Sequence, residues 1–244
     1  MGSADDLEAQ RQAIADGCRI LAHEGLVTGT LGHISARAGD GMLLRTRGPE
    51  DRGLQFATAD DVKLVPLDAV AGPVGTHLIP VEAPLHGETL RRQPGVGAVV
   101  HAHPPAVVAC TIAGLPLLPI VGAYDIPAAR MAHDGIPLFN RSVLIRSADV
   151  ATRMLDVMGE APACLLAGHG LVVTGSTVAQ AVTRAISINN LAQLTLMVAG
   201  TGEPLRVIPE EDFAELPDLG PGLNDDPVWR HYLARARLAA DPAG

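Results

Sequence analysis

The stretch "PVEAPLHGETLRRQPGVGAVVHAHPP", Pro80 to Pro105, passes from a helix-compatible segment through a Pro-Gly turn into small and β-branched residues and breaks at two prolines. Pro84 to Gln93 reads as a short helix. "GVGAVVHAH" reads as a strand that ends at Pro104 and Pro105, which have no N–H to donate to a ladder. Strand side chains alternate between faces, so His101 and His103 point the same way and one cation can meet both rings. By itself the pair is also compatible with histidines satisfied by hydrogen bonds in a core or at a surface.

Two further features favour a site. "LLAGHGLVVTG", Leu165 to Gly175, repeats the theme of a strand followed by a histidine, with His169 between glycines that let backbone and solvent approach the ring. Three imidazoles with an open position make a catalytic metal set. Glu82 adds a carboxylate shortly before the pair, where it could complete the coordination or move protons.

Outward from there the chain alternates helices and strands. Ser3 or Asp5 can cap a first helix with Leu7, Ile14, Cys18 and Leu21 on one face and Gly25 placed to end it. "GTLGHISARAGDGMLLRTRG" has the pattern of a hairpin, and residues from about 29 to 79 look largely β. Helices are predicted from Ala106 to Ile112, after a Ser147 cap in "SADVATRMLDVMGE", and from about Ser176 to Ala199. The order suggests an α/β fold with a mainly antiparallel or mixed central sheet and helices on its faces.

At 244 residues the chain fits a single domain, 1–244, with a tail from about 202 to 244 whose Trp229 and Tyr232 should pack on the domain or on a neighbouring subunit. A net charge of -9 without a basic cluster argues against nucleic acid and anionic membranes as partners, leaving small-molecule chemistry. Cys18, Cys110 and Cys164 lie far apart in apolar sequence and read as buried thiols of a cytoplasmic protein. The acidic start "MGSADDLEAQ" does not resemble a signal peptide, and no apolar run approaches the roughly 18 residues of a membrane span.

Together, "PVEAPLHGETLRRQPGVGAVVHAHPP", "LLAGHGLVVTG" and the early "EGLVTGTLGHISAR" resemble the class II aldolase/adducin-type family from about residue 10 to 200. The resemblance implies a three-layer α/β/α sandwich, often a homotetramer with sites at subunit interfaces. It also implies one divalent metal per subunit (zinc, manganese, iron or cobalt) held by His101, His103 and His169, with Glu82 as acid/base. His86 matches the family's histidine after the glutamate and is weighted toward structural hydrogen bonding. His23, His77, His133 and His231 read as surface residues.

The chain departs from the family's sugar-phosphate aldolases. Their early GN-x-S segment here reads "GHIS", with His33 after Gly32, and their T-P-S-G turn is replaced by "LLRTRGPEDRG". Arg45, Arg47 and Arg52 stand there instead, suited to grip a carboxylate in bidentate geometry, or else to pair with Glu50 and Asp51 at the surface. With "RGPEDRG", "HAHPPAVVA" and "GAYDIPA", this segment resembles the family's decarboxylases of hydroxylated aromatic dicarboxylates of the dihydroxyphthalate type. The resemblance implies a carboxy-lyase in which a metal-bound phenolate takes up the electron pair left by CO2. Glu82 or His33 would be the proton donor, Tyr124 and Tyr232 would stand in reserve, and Gly32 and the arginines would bind the substrate. The alternatives are an aldolase or epimerase of a short hydroxy-carbonyl compound, and a non-enzymatic adducin-like scaffold.

Overall fold

The computed structural model describes residues 4–220 and 225–240. Ser3 and two stretches of the predicted tail, 221–224 and 241–244, lie outside the described residues.

Helix α1 (Ala4–His23) already contains Asp5 in its first turn, so Asp5 is not its cap. Gly25, at φ +73°, lets Leu26 N–H reach back to the Leu21 carbonyl and closes the helix in a Schellman turn. β1 (His33–Ala38) and β2 (Gly41–Arg45) then form a hairpin around Gly39-Asp40, and β3 (Val62–Pro66) extends it. β4 (Gly72–Val74) and β5 (His77–Ile79) make a separate two-stranded ribbon, bridged to the main body at Arg47 and Leu78.

α2 (Ala83–Arg92), β6 (Ala98–Ala102) and α3 (Pro105–Ala113) follow. Next come the short α4 (Ile126–Met131), β7 (Leu138–Phe139) and α5 (Ala148–Met158), the last capped by the Ser147 side chain as its sequence predicts. β8 (Ala163–Leu166) and β9 (Gly170–Gly175) form the second hairpin. The long helix α6 (Val178–Ala199) starts two residues later than the spacing suggested, because the Thr177 side chain accepts from Gln180 N–H and takes the cap. α7 (Glu210–Glu215) and α8 (Asp226–Ala240) complete the described chain.

The main sheet has seven strands in the order β3-β2-β1-β6-β9-β8-β7, every pairing antiparallel except β7 with β8. Alternation along the strands splits the core in two. Ile34, Ala36, Leu43, Val100 and Val173 face a layer built from α1, α3 and α6, while Leu44, Val99 and Val172 face α2 and α5. This is the three-layer α/β/α sandwich with a mixed sheet. α8 lies against α1 and α6, where Trp229, Tyr232 and Leu233 cover the first core. Among the described residues no helix is long and apolar enough to cross a membrane.

Candidate metal centre

Strand β6 carries His101 on its α2 face and releases His103 just past its end. Its register with β9, Ala102 opposite Leu171, sets the β8–β9 turn beside that end, and His169 sits in the turn. The glycines flanking His169 are required there. Gly168 has φ +59°, and a Cβ on Gly170 would lie 2.2 Å from the Ala102 carbonyl oxygen and 2.9 Å from the His103 ring. Glu82 occupies the N-cap position of α2 but does not cap it, so its carboxylate turns toward the sheet.

There the four side chains meet. Ligand atoms of Glu82, His101, His103 and His169 all lie within 4.8 Å of one another. Glu82 Oε2 is 3.2 Å from His101 Nε2 and 3.7 Å from His169 Nε2, and Oε1 accepts from the Ile145 N–H at 2.8 Å.

The donor set can be tested for its fit to a cation. His101 Nδ1 lies 2.9 Å from the Leu171 carbonyl, which can only accept, so that nitrogen carries a proton and Nε2 is the atom left to turn a lone pair inward. That lone pair faces His103 Nε2 at 2.8 Å and the Glu82 oxygen at 3.2 Å. Among the described residues both His169 nitrogens are buried and neither makes a hydrogen bond of ordinary geometry. Electron-rich atoms gathered this closely repel one another unless a proton or a metal lies among them, and three imidazoles with a carboxylate suit a divalent ion. The residues fit a metal.

Electrostatics support the same assignment. Burial alone would raise the Glu82 carboxyl, but the imidazoles of His101 and His169 beside it and the Ile145 N–H outweigh burial and hold the group down at about 2. Burial, and the repulsion that a charge shared with His101 or His169 would bring, lower His103 to about 3, and burial first of all lowers His169. These rings remain neutral, as ligation requires.

Next to the cluster a second row of polar groups runs back under α2. His33 stands directly opposite His101 in the β1–β6 ladder, with ring centroids 5.1 Å apart. Its Nδ1 is 2.7 Å from His86 Nε2, and His86 Nδ1 is 2.7 Å from Ser35 Oγ. His86 therefore hydrogen-bonds structurally, while burial holds it at about 3 and His33 well below the usual histidine value. Sequence reasoning missed Ser35, although its place two residues after His33 on one strand puts both on one face.

The other expected site residues fall elsewhere. Gly32, at φ +84°, abuts the His101 backbone carbonyl, with Val27 and Leu54 on the position a side chain would take. Arg45 shares the parity of Leu43, on the α1 side of the sheet, where its buried guanidinium is ion-paired with Asp51. The surface pairing considered from sequence is thus an interior one. Arg47 is exposed, donates to the Thr30 carbonyl at 3.2 Å and stays 3.9 Å from Asp51. Arg52 lies over the Phe56 ring at 4.8 Å. Tyr124 and Tyr232 share a hollow with Asn190 of α6, away from the four ligands within this chain.

Residues 12–196 match the family described as Class II Aldolase and Adducin N-terminal domain. The chain belongs to that family. Within the class II aldolase and adducin family it is 51% identical over 234 residues to a 3,4-dihydroxyphthalate decarboxylase of Arthrobacter keyseri, covering 94% of each chain. It is 48% identical to a protein of the same name from Terrabacter sp., covering 93% of this chain and 97% of the other. Among solved structures, an aldolase II superfamily protein from Pseudomonas syringae superposes with a TM-score of 0.78 at 18% identity, covering 99% of this chain and 96% of that one. At that identity the likeness speaks for the fold.

Proposed function

We propose that the chain is a metal-dependent, non-oxidative decarboxylase of a hydroxylated aromatic dicarboxylate of the 3,4-dihydroxyphthalate type, a carboxy-lyase. The near-full-length likeness to decarboxylases of that name carries the reading, and the intact cluster of Glu82, His101, His103 and His169 agrees with it. His101, His103 and His169 would hold a divalent ion (zinc, manganese, iron or cobalt), which when bound supplies Lewis-acid stabilisation of the negative charge left on a substrate oxygen as CO2 departs.

Glu82 handles the proton. Held ionised by its neighbours, it can take the proton of a ring hydroxyl and return it to the ring carbon. The carbon–carboxylate bond breaks with its electron pair entering the ring, the new C–H bond forms with the returned proton, and the ring oxygen regains a proton from water. His33, buried and neutral, is better suited to donate a hydrogen bond than to deliver a proton. Arg47, of the three arginines the one committed neither to the interior nor to Phe56, would hold the second carboxylate, and Gly32 would bind substrate beside His33.

The enzyme works as a homo-oligomer, a tetramer in this reading. Tyr124 and Tyr232 would then lie near the site of a neighbouring subunit, and three buried thiols suit a reducing cytoplasm. Purified protein, stripped with a chelator and reloaded with single metals, should release CO2 from 3,4-dihydroxyphthalate only when loaded. Absence of metal-dependent release across related hydroxy-dicarboxylates would overturn the reading, and aldehyde release from a hydroxy-carbonyl compound would replace it with an aldolase.

A further inference from the structure

The row Ser35–His86–His33 is closed to solvent at its inner end. Ser35 and His86 are both fully buried, and among the described residues His86 Nδ1 is the one partner of Ser35 Oγ. That single contact decides where the hydrogens lie. A buried hydroxyl hydrogen without an acceptor costs about 1–3 kcal/mol, and the only acceptor within reach is the His86 Nδ1 lone pair.

The rest follows link by link. If His86 Nδ1 accepts from Ser35, His86 carries its proton on Nε2 and donates it to His33 Nδ1, 2.7 Å away. His33 Nδ1 then accepts, and the His33 proton must sit on Nε2. The reverse order, with His33 donating to His86 and His86 to Ser35, strands the hydroxyl hydrogen in the core. Among the described residues nothing hydrogen-bonds His33 Nε2, and the ring stands beside His101 at the metal cluster.

We propose that Ser35 and His86 are positioning residues that fix His33 as its Nε2–H tautomer, so that it presents an N–H donor to a carboxylate or hydroxyl oxygen of the substrate next to His101. The substrate contact rests on the decarboxylase reading, whereas the tautomer does not. An asparagine at this position could offer an N–H from its amide without help; a histidine needs a partner to choose which nitrogen is protonated. Helix α2 therefore serves the site twice, through Glu82 at its start and through His86 one turn on.

The test is 15N NMR of the zinc-loaded protein with labelled histidine, the His33 signals being assigned by their loss in His33→Asn. The expected spectrum has His33 and His86 both protonated at Nε2 and unprotonated at Nδ1. A proton on His33 Nδ1 overturns the proposal. Ser35→Ala should shift His33 toward a mixture of tautomers and Ser35→Thr should restore the single one; an unchanged His33 in Ser35→Ala also overturns it. If Ser35→Ala does not fold, the wild-type spectrum decides alone.

The substrate contact is read separately with 3,4-dihydroxyphthalate. Ser35→Ala should raise KM about tenfold, the equivalent of one hydrogen bond, and Ser35→Thr should recover most of it. An unchanged KM removes the substrate contact and leaves the tautomer standing. Failure of the wild type to turn over this compound counts against the decarboxylase reading, while the spectrum still judges the relay.

Discussion

In the proposed reaction Glu82 is the residue on which charge, metal and proton converge. Glu82→Gln keeps the shape and the contact with Ile145 N–H but loses the negative charge facing His101 and His169. Turnover should fall by about 10²–10⁴ while most of the bound metal remains, because three imidazoles persist. Steady-state kinetics together with metal analysis checks this, and activity within tenfold of wild type would remove Glu82 from proton transfer. The buried histidines also set a pH dependence of stability. His86 takes up a proton only near 3 when folded, against its usual 6.5, so between those values the unfolded chain binds more protons and stability falls as pH falls. Urea unfolding of the chelator-treated chain should weaken from pH 7 to pH 5. His86→Asn should make the slope below 6.5 shallower by up to about 1.4 kcal/mol per pH unit. A slope equal to that of the wild type would mean that His86 is protonated in the folded state.

Among the elements, the β8–β9 turn is the part that delivers His169. A methyl group at Gly170 would overlap the Ala102 carbonyl, so Gly170→Ala should push β9 away from β6, cost about 1–3 kcal/mol and lower metal content. Gly95→Ala, where nothing lies within 4 Å of an added Cβ, is the control and should leave both unchanged. Thermal denaturation and metal analysis of the two variants separate these outcomes. The turn, β6 and the first halves of α2 and α5 were legible in the sequence because each rests on local signals: proline breaks, glycine-flanked histidines, a serine cap. Arg45 was not legible in this sense. Which face of β2 it takes depends on the register against β1, set by the Gly39-Asp40 turn, and parity with Leu43 sends it to the α1 side. The contact of Ser35 with His86 spans 51 positions and depends on α2 crossing β1 at the right height, which no local pattern encodes.

At the scale of the whole molecule, the order of helices and strands pointed to a mixed sheet with helices on its faces, and the family resemblance added the three layers and the roles of the three imidazoles. Composition had narrowed the choice only to a globular chain without a basic surface. The single-chain fold leaves Ile112 on α3 and Met197 on α6 largely exposed, at 73% and 68%. If the working form is an oligomer, such residues belong in its contacts. Ile112→Asp should then lower the mass measured by light scattering without changing the far-ultraviolet circular dichroism. An unchanged mass would place the contact on another face.

The three cysteines lie on α1, α3 and β8, the first two in the core under α1, α3 and α6 and the third in the core under α2 and α5, and burial pushes their thiols up to about 12, 11 and 12. At neutral pH they are neither accessible nor ionised, so an alkylating reagent should find no target in the folded chain. Each thiol is therefore a clock for the opening of the element that carries it. Mass-spectrometric alkylation in mild urea should show all three modified together if the sandwich opens as one cooperative unit. Earlier labelling of Cys110 alone would mean that α3, which follows the strand carrying His101, comes away first.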